Sequence, residues 1–364
     1  MKVLGLMSGT SMDGLDCCYA DIYLNQDNNI KFEIIKHQTI PFDINIRDHI
    51  ANVIGSNDNE LISICDRKLG IIFSKIVQKF IGKNIIELIA MHGQTISHIN
   101  KVKTSQIGNP EYLFKHYKVP VIYDFRSQDI MLGGNGAPLV PYLDWLLSKK
   151  IDKSILTVNI GGIANVTYVP SNSKRDRVIG FDRGPGMCLI DQYVQKHWNI
   201  NFDSNGDIAK KGKINSILLN QLLNHPFIEK RFPKSTSREE FDINYLENIE
   251  KKYVLINKYD ILRTLVYFTA NSIYINTKLL TNNKESFILM LSGGGANNSL
   301  LVEDIKKIFN IETIYTSDYY GIHIDNKEAF LMAVMGLSKY QKIYNNMPSV
   351  TGANKYASYG TIYE

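Results

Sequence analysis

The residues best suited to chemistry lie in short glycine-containing turns that follow apolar runs. The first is Ser8-Gly9-Thr10-Ser11-Met12-Asp13-Gly14, with three hydroxyls and two glycines in seven residues. A plain hairpin needs only a tight turn such as Asp13-Gly14, where glycine takes positive φ without a Cβ clash. Hydroxyls, together with N–H groups made approachable by glycine, are the donors that suit phosphate oxygens, so phosphate binding is the favoured reading. Asp182 closes the run VIGFD, just before Arg183-Gly184-Pro185-Gly186. A carboxylate there can serve as a mere helix cap, yet the flanking glycines leave it accessible, which a buried cap would not need. HGQTISH offers His92, either to a substrate hydroxyl or as a hydrogen-bonded strand-end residue. VPVIYDF delivers Asp124, Arg126 and Asp129 into a loop that runs through Gly133, Gly134 and Gly136 to Pro138. For Asp124 and Arg126, a structural ion pair and sugar contacts are both open. Ser292-Gly293-Gly294-Gly295, with Asn297 entering a helix, is a turn on whose backbone a flat nucleoside can lie.

These turns need elements to aim them. Val3 to Met7 is an apolar run, and residues 15–22 alternate as in a half-buried strand, so the first turn joins two strands. Phosphate loops of the Walker or dinucleotide kind open a helix instead. LTVNIGGIANVTYV (156–169) repeats the strand, turn, strand unit around Gly161-Gly162 at about the spacing of one domain. Two such hairpins facing one another across a cleft would clasp a nucleotide's phosphates from both sides. Residues 60–82 have helical periodicity ending at Gly82, and Ile85 to Met91 is a strand bounded by the loop His92 to Thr95. A helix is expected from Pro185 to about Trp198, another over 256–280, and a last major one from Asp325 to Glu328 onward. Residues 232–242 have the look of a capping box, Ser237 with Glu240 or Thr236 with Glu239. Strands ending in glycine loops and alternating with helices predict α/β layers with ligand loops at the strand ends.

The length of 364 residues suits two domains, and 44% hydrophobic with 21% charged residues is a globular composition. The net charge of +5 is spread thinly, which suits a small anionic substrate and argues against nucleic acid. The four cysteines form no CxxC pair and read as reduced packing residues. The eight histidines show no zinc pattern. No apolar run approaches the ~20 residues of a membrane span, and no secretion signal is evident, so a cytoplasmic protein is expected.

Strand-turn-strand phosphate loops are typical of the sugar kinase, Hsp70 and actin superfamily. Within it, GTSMDGLD, HGQT, DFRSQD, GGNGAPLVP, NIGGIANVT, GFDRGPG, PKSTSREEF, SGGGANN, DNKEAF and VTGA resemble, in order along the whole chain, blocks of the anhydro-N-acetylmuramic acid kinase family. The resemblance implies a two-domain sugar kinase/Hsp70/actin-like (ribonuclease H-like) α/β fold with a central nucleotide cleft. Its first domain would be 1–132 plus 346–364, its second 133–345. It implies ATP with Mg²⁺ as cofactors, a sugar substrate, and a homodimer. The activity implied is opening of 1,6-anhydro-N-acetylmuramic acid with water and its phosphorylation, in cell-wall recycling.

On this sequence the ATP stretch matches Gly9, Thr10, Ser11, Met12, Asp13, Gly14, Leu15 and Asp16, and the catalytic aspartate matches Asp182. Gly161, Gly162, Gly293, Gly294, Gly295 and Asn297 complete the nucleotide set, and His92, Asp124, Arg126 and Glu328 the substrate set, with no direct metal ligand assigned. Asp13 or Asp16 would hold the metal's waters. Arg183 departs from the family's usual Thr, as Met187-Cys188 departs from an Asn-containing pattern. Arg183 is expected to point away from Asp182, because successive side chains alternate on an extended segment. Two rivals of the same fold are a sugar kinase acting on a free hydroxyl and a non-enzymatic actin-like protein.

Overall fold

The structure, a computed structural model, describes residues 1–9, 12, 14–149, 151–231, 234, 236, 240–281 and 286–364, without the side chains of 279 and 281. The chain forms two compact units. Unit 1 comprises Met1–Lys150, Lys174–Val178 and Tyr320–Glu364, and unit 2 comprises Ile151–Ser173 and Ile179–Tyr319. The strands are β1 (Lys2–Ser8), β2 (Gly14–Leu24), β3 (Ile30–Pro41), β4 (Leu88–Ile99), β5 (Lys103–Ile107), β6 (Val121–Tyr123), β7 (Ser154–Ile160), β8 (Ile163–Val169), β9 (Ile179–Pro185), β10 (Phe287–Ser292), β11 (Tyr315–Thr316) and β12 (Thr361–Tyr363). The helices that position the site are α1 (Asn59–Ile81), α2 (Cys188–Trp198), α3 (Lys258–Thr281), α4 (Ser299–Phe309) and α5 (Lys327–Tyr340).

The sheet of unit 1 has the order β12-β6-β4-β1-β2-β3, with β5 paired to β4. β1 runs antiparallel to β2 and parallel to β4, which is parallel to β6. Strand alternation sends Leu4, Leu6, Leu15 and Cys17 into a core shared with Leu69, Phe73 and Val77 of α1. α1 starts at its Asp58 cap and stops at Gly82, whose φ of +61 is open to glycine because it lacks a Cβ. α5 lies against the opposite face so closely that a Cβ at Gly5 would sit 2.0 Å from the Ala329 carbonyl.

The units divide at 150/151, 173/174, 178/179 and 319/320, whereas the sequence suggested 132/133 and 345/346. The reason is packing. Helix Val140–Ser148 and α5 hold one another through the buried ion pair Lys327–Asp144 at 2.6 Å and the Tyr142–Ser338 hydroxyl contact at 3.0 Å. β12, near the end of the chain, pairs antiparallel with β6 in the same sheet.

Unit 2 has the order β11-β10-β7-β8-β9. β7, β8 and β9 are successively antiparallel, while β10 and β11 run parallel to β7. Val158, Val166, Phe181 and Leu291 face a core built with Ile190 of α2, Leu265 of α3 and Leu301 of α4. Counted along the chain within each unit and leaving β5 aside, both sheets begin third-second-first-fourth-fifth. The repeated hairpin is thus the start of a repeated sheet, and the α/β class expected from the sequence is observed in both units.

Two local expectations change. β4 does not end at Met91 but continues to Ile99, because one extra residue near His92, with Gly93 at φ +77, bulges the strand off β1 and onto β5. Pro185 closes β9, and the following helix begins three residues later at Cys188. Of the suggested capping boxes, Ser237 and Glu239 lie outside the described residues. The helix Ile243–Lys252 is capped by Asp242, which accepts from the Tyr245 amide at 3.0 Å.

Candidate active site

In unit 1 the predicted residues gather at the carboxyl ends of the parallel strands β1, β4 and β6, where open α/β sheets bind ligands. Thr10, Ser11 and Asp13 lie outside the described residues. The Gly9 carbonyl accepts from the Met12 amide at 3.1 Å and from Gln94 Nε2 at 3.2 Å. Ser8 Oγ donates to Gln94 Oε1 at 2.6 Å. Gln94, fully buried on β4, therefore fixes the entry to the turn. Gly14 is required by packing as well, since a Cβ there would lie 2.4 Å from the Ile40 carbonyl. Leu15 is a fully buried core residue of unit 1. Asp16, partly exposed, accepts from Thr39 Oγ1 at 2.5 Å and lines a cavity of about 280 Å³ with His37, His323 and Asp325.

His92 has one chemically consistent state. Its Nδ1 lies 2.8 Å from the Gly93 carbonyl, which can only accept, and its Nε2 lies 2.7 Å from Arg126 Nε, which can only donate. The ring is therefore neutral with the proton on Nδ1. Burial, reinforced by the Arg126 charge, pushes its pKa down to about 3. Arg126 also donates to the Gly136 carbonyl at 2.8 Å. Its pKa is lowered by burial to about 10 and raised in part by Glu328 and Asp129. Burial raises the Glu328 carboxyl, opposed by the charges of Arg126 and Lys327.

Asp124 and Arg126 form no ion pair with each other. Asp124, at φ +53, accepts from the Ser127 amide at 3.1 Å, at the first residue of the short helix Ser127–Met131, whose N-cap position is Arg126. Asp129 is drawn inward and fully buried. It accepts from the Gly136 amide (2.7 Å), Thr351 Oγ1 (2.7 Å) and the Tyr359 hydroxyl (2.6 Å). It ties the glycine loop to the C-terminal segment, and three donors offset the cost of burying it. His92 and Asp124 meet at a cavity of about 400 Å³, also lined by Asp66, Gln106 and Ser127. Its charged lining is acidic, which suits hydroxyl and amide donors.

Unit 2 repeats the arrangement, with Asn159 at the carboxyl end of β7, Asp182 on β9 and Ser292 on β10. Asp182 is partly exposed; its amide donates to the Lys234 carbonyl at 3.2 Å, and its Oδ2 accepts from the Thr236 amide at 3.1 Å. Lys234 is itself buried and donates to the carbonyls of Phe227 (2.9 Å) and Ile228 (3.1 Å). Burial, then the charges of Arg183 and Lys230, lower its pKa to about 8.

Arg183 leaves the Asp182 face. It lies over the Phe181 ring at 5.7 Å and donates to the Ile273 carbonyl and Thr277 hydroxyl of α3. It is fully buried, and burial lowers its pKa to about 9.

The Gly161 carbonyl accepts from the Met187 amide at 2.8 Å, and that of Gly162 from the amides of Gly186 (2.8 Å) and Cys188 (3.1 Å). The second hairpin turn is therefore clamped to the start of α2. Gly293 has φ +79, and a Cβ there would lie 2.5 Å from Asn159 Oδ1. A Cβ at Gly295 would meet Ile160 at 2.4 Å, whereas Gly294 faces open space and Asn297 is exposed. α4 begins at Ser299 behind its Asn298 cap, two residues past Asn297.

Sequence reasoning passed over Gln94, Asn159, Asn165 and Lys234. A usable signal existed for two of these: in Asn159-Ile-Gly-Gly-Ile-Ala-Asn165 the asparagines stand symmetrically about a turn, so a hairpin must oppose them.

Glycine-rich turns and a carboxylate at the carboxyl ends of strands, in two units of one topology, define an α/β protein organised for phosphoryl transfer. The chain belongs to the anhydro-N-acetylmuramic acid kinase family, a family of phosphotransferases, whose family model matches residues 1–364. It is 38% identical to the anhydro-N-acetylmuramic acid kinase of Clostridioides difficile (strain 630), covering 100% of this chain and 98% of that protein. It is 37% identical to the protein of that name from Francisella tularensis subsp. novicida, covering 99% and 97%. With the one from Bacillus cereus (strain AH187) the identity is 35%, covering 100% and 99%. Among the described residues no helix is long and apolar enough to cross a membrane.

Proposed function

We propose that this protein uses ATP and water to convert 1,6-anhydro-N-acetylmuramic acid to N-acetylmuramic acid 6-phosphate and ADP, in peptidoglycan recycling. Family membership along the whole chain supports the substrate. The observation that carries the chemistry is the partly exposed Asp182 carboxylate, one oxygen of which is held by the Thr236 amide at 3.1 Å. In the anhydro sugar O6 is tied to C1, so it cannot take a phosphoryl group until that bond opens. Asp182 takes a proton from water, and the water oxygen bonds to C1. The C1–O6 electron pair passes to O6, which bonds to the γ-phosphorus as the bond from phosphorus to ADP breaks. One base therefore serves both halves of the reaction.

Gly9, Met12 and the backbone of Gly14 to Asp16 in unit 1 would bind phosphate oxygens, and Gly161 and Gly162 in unit 2 would do the same. Gly293, Gly294, Gly295 and Asn297 would carry the nucleoside. Arg126 spends two of its five N–H donors on His92 and Gly136, and the others are available to sugar oxygens beside Glu328. Mg²⁺ accompanying the nucleotide supplies charge neutralisation on the phosphates. The partly exposed Asp16 carboxylate fits the holding of its waters. A homodimer in the cytoplasm, where ATP is at hand, completes this reading.

The test is turnover of ATP against anhydro-N-acetylmuramic acid and against plain sugars, in oxygen-18 water. Consumption of the anhydro sugar with label at C1 and none in the phosphate is expected. Turnover of plain sugars alone, or label in the phosphate, would return an ordinary sugar kinase to first place.

A further inference from the structure

The sheet of unit 2 carries a polar row that the proposed reaction has not used. β9, β8, β7 and β10 pair so that Asp182 faces Asn165, Asn165 faces Asn159, and Asn159 faces Ser292. Directly opposed residues share a sheet face. The neighbouring positions Val158, Ile160, Val166 and Phe181 turn to the other face and are core residues. Four polar side chains thus stand side by side at the carboxyl ends of β7, β9 and β10.

Three of the four are committed. Ser292 Oγ donates to Asn159 Oδ1 at 3.3 Å, and that oxygen also abuts Gly293. Asp182 Oδ2 accepts from the Thr236 amide at 3.1 Å. Asn165 is the exception: partly exposed, its side-chain amide makes no hydrogen bond to the described protein. A bulge maintains its alignment with Asp182. Ala164 opposes Gly184 and Asn165 opposes Asp182, so Arg183 is the extra residue. The bulge sends Arg183 to the helix side and leaves Asp182 beside the asparagine, the kind of re-aiming for which bulges recur beside active sites.

We infer that Asn165 is a catalytic residue that holds the attacking water against Asp182. The inference rests on the reaction proposed above. Opposed Cβ atoms in such a pair lie about 4.5–5.5 Å apart, a gap one water spans. Asp182 accepts one water proton and removes it, while Asn165 Oδ1 accepts the other, which stays on the oxygen and becomes the C1 hydroxyl proton. Two acceptors fix the water so that a lone pair is free for C1. An amide suits this role better than an acid, because a second carboxylate opposite Asp182 would raise the base's pKa and leave it protonated. Among the described residues, the other charged groups around β9 are Arg183 behind the sheet, Lys234 and Lys230, and Glu240, which accepts from the Thr236 hydroxyl.

Single-turnover rates and pH profiles of wild type, Asn165→Ala, Asn165→Asp and Asp182→Asn test this, with folding checked by thermal melts. Asn165→Ala is expected to lower the rate about tenfold to a hundredfold, the loss of one hydrogen bond to the nucleophile, with the affinities for ATP and sugar unchanged. Asn165→Asp is expected to move the acid limb of the profile to higher pH, which a merely structural asparagine would not do. A folded Asn165→Ala enzyme within twofold of wild type, or an acid limb unmoved in Asn165→Asp, overturns the inference alone. A wild-type enzyme inactive on the anhydro sugar, or an active Asp182→Asn variant, overturns the underlying reaction and the inference with it.

Discussion

Unit 1 and unit 2 share a strand order yet put different chemistry at the same end of the sheet. In unit 1 the carboxyl ends carry ionic groups, the neutral His92 holding Arg126, with Glu328 coupled to it. In unit 2 they carry amides and a single carboxylate, Asn159, Asn165 and Asp182. The topology decides where a ligand can be met, and the residues decide what is done to it. In the proposed reaction the guanidinium of unit 1 would grip polar groups of the sugar, and the carboxylate of unit 2 would act as the base. Each unit also spends one polar side chain on its own turn, Gln94 in the first and Asn159 in the second.

The sharpest way to break this division is Asp182→Asn. The variant keeps size but cannot take a proton, so turnover should fall ~10²- to 10⁴-fold, with ATP binding retained by calorimetry. Turnover near wild type would show that unit 2 does not supply the base. The counterpart in unit 1 is Arg126→Met. Here the KM for sugar should rise about tenfold to a hundredfold, as expected for losing charge-assisted hydrogen bonds, while ATP affinity stays the same. A change in kcat with an unchanged KM would place Arg126 outside substrate binding.

Within unit 2, Gly293→Ala and Gly294→Ala form a pair. The first forces a side chain onto φ +79 and into Asn159, so about 1–3 kcal/mol of stability and part of the nucleotide affinity should be lost. The second meets nothing within 4 Å and should stay within about 0.5 kcal/mol of wild type in denaturant melts. Equal effects at both positions would mean the loop is not fixed as described.

The smallest effect concerns His92. Its pKa is near 3 in the folded chain and ordinary once unfolded, so the unfolded state binds the extra proton as pH falls below about 6.5. Stability should therefore decline on acidification, at most about 1.4 kcal/mol per pH unit from this residue, and His92→Gln should remove that slope. Identical pH slopes for the two proteins between pH 6.5 and 5.5 would show His92 is protonated when folded.

The sequence by itself determined the parts whose physics is local. Alternation gave the β1–β2 and β7–β8 hairpins, helical spacing with an acceptable C-cap at Gly82 gave α1, and flanking glycines marked Asp182 as accessible. Glycine conformations and side-chain periods depend on a few neighbours, so they can be read from a string. Only the tertiary structure decided that β4 runs through His92 to Ile99, because the extra residue must be accommodated between β1 and β5. It also decided that Asp124 holds the Ser127 amide while Arg126 turns to His92, and that Asp129 is a buried anchor. The unit boundaries followed α5, whose place on the sheet depends on glycines and alanines far apart in sequence. The alignment of Asn165 with Asp182 was settled in the same way. Register is fixed by the summed pairing and burial of whole strands, and one bulged residue at Arg183 determines which side chain faces Asp182.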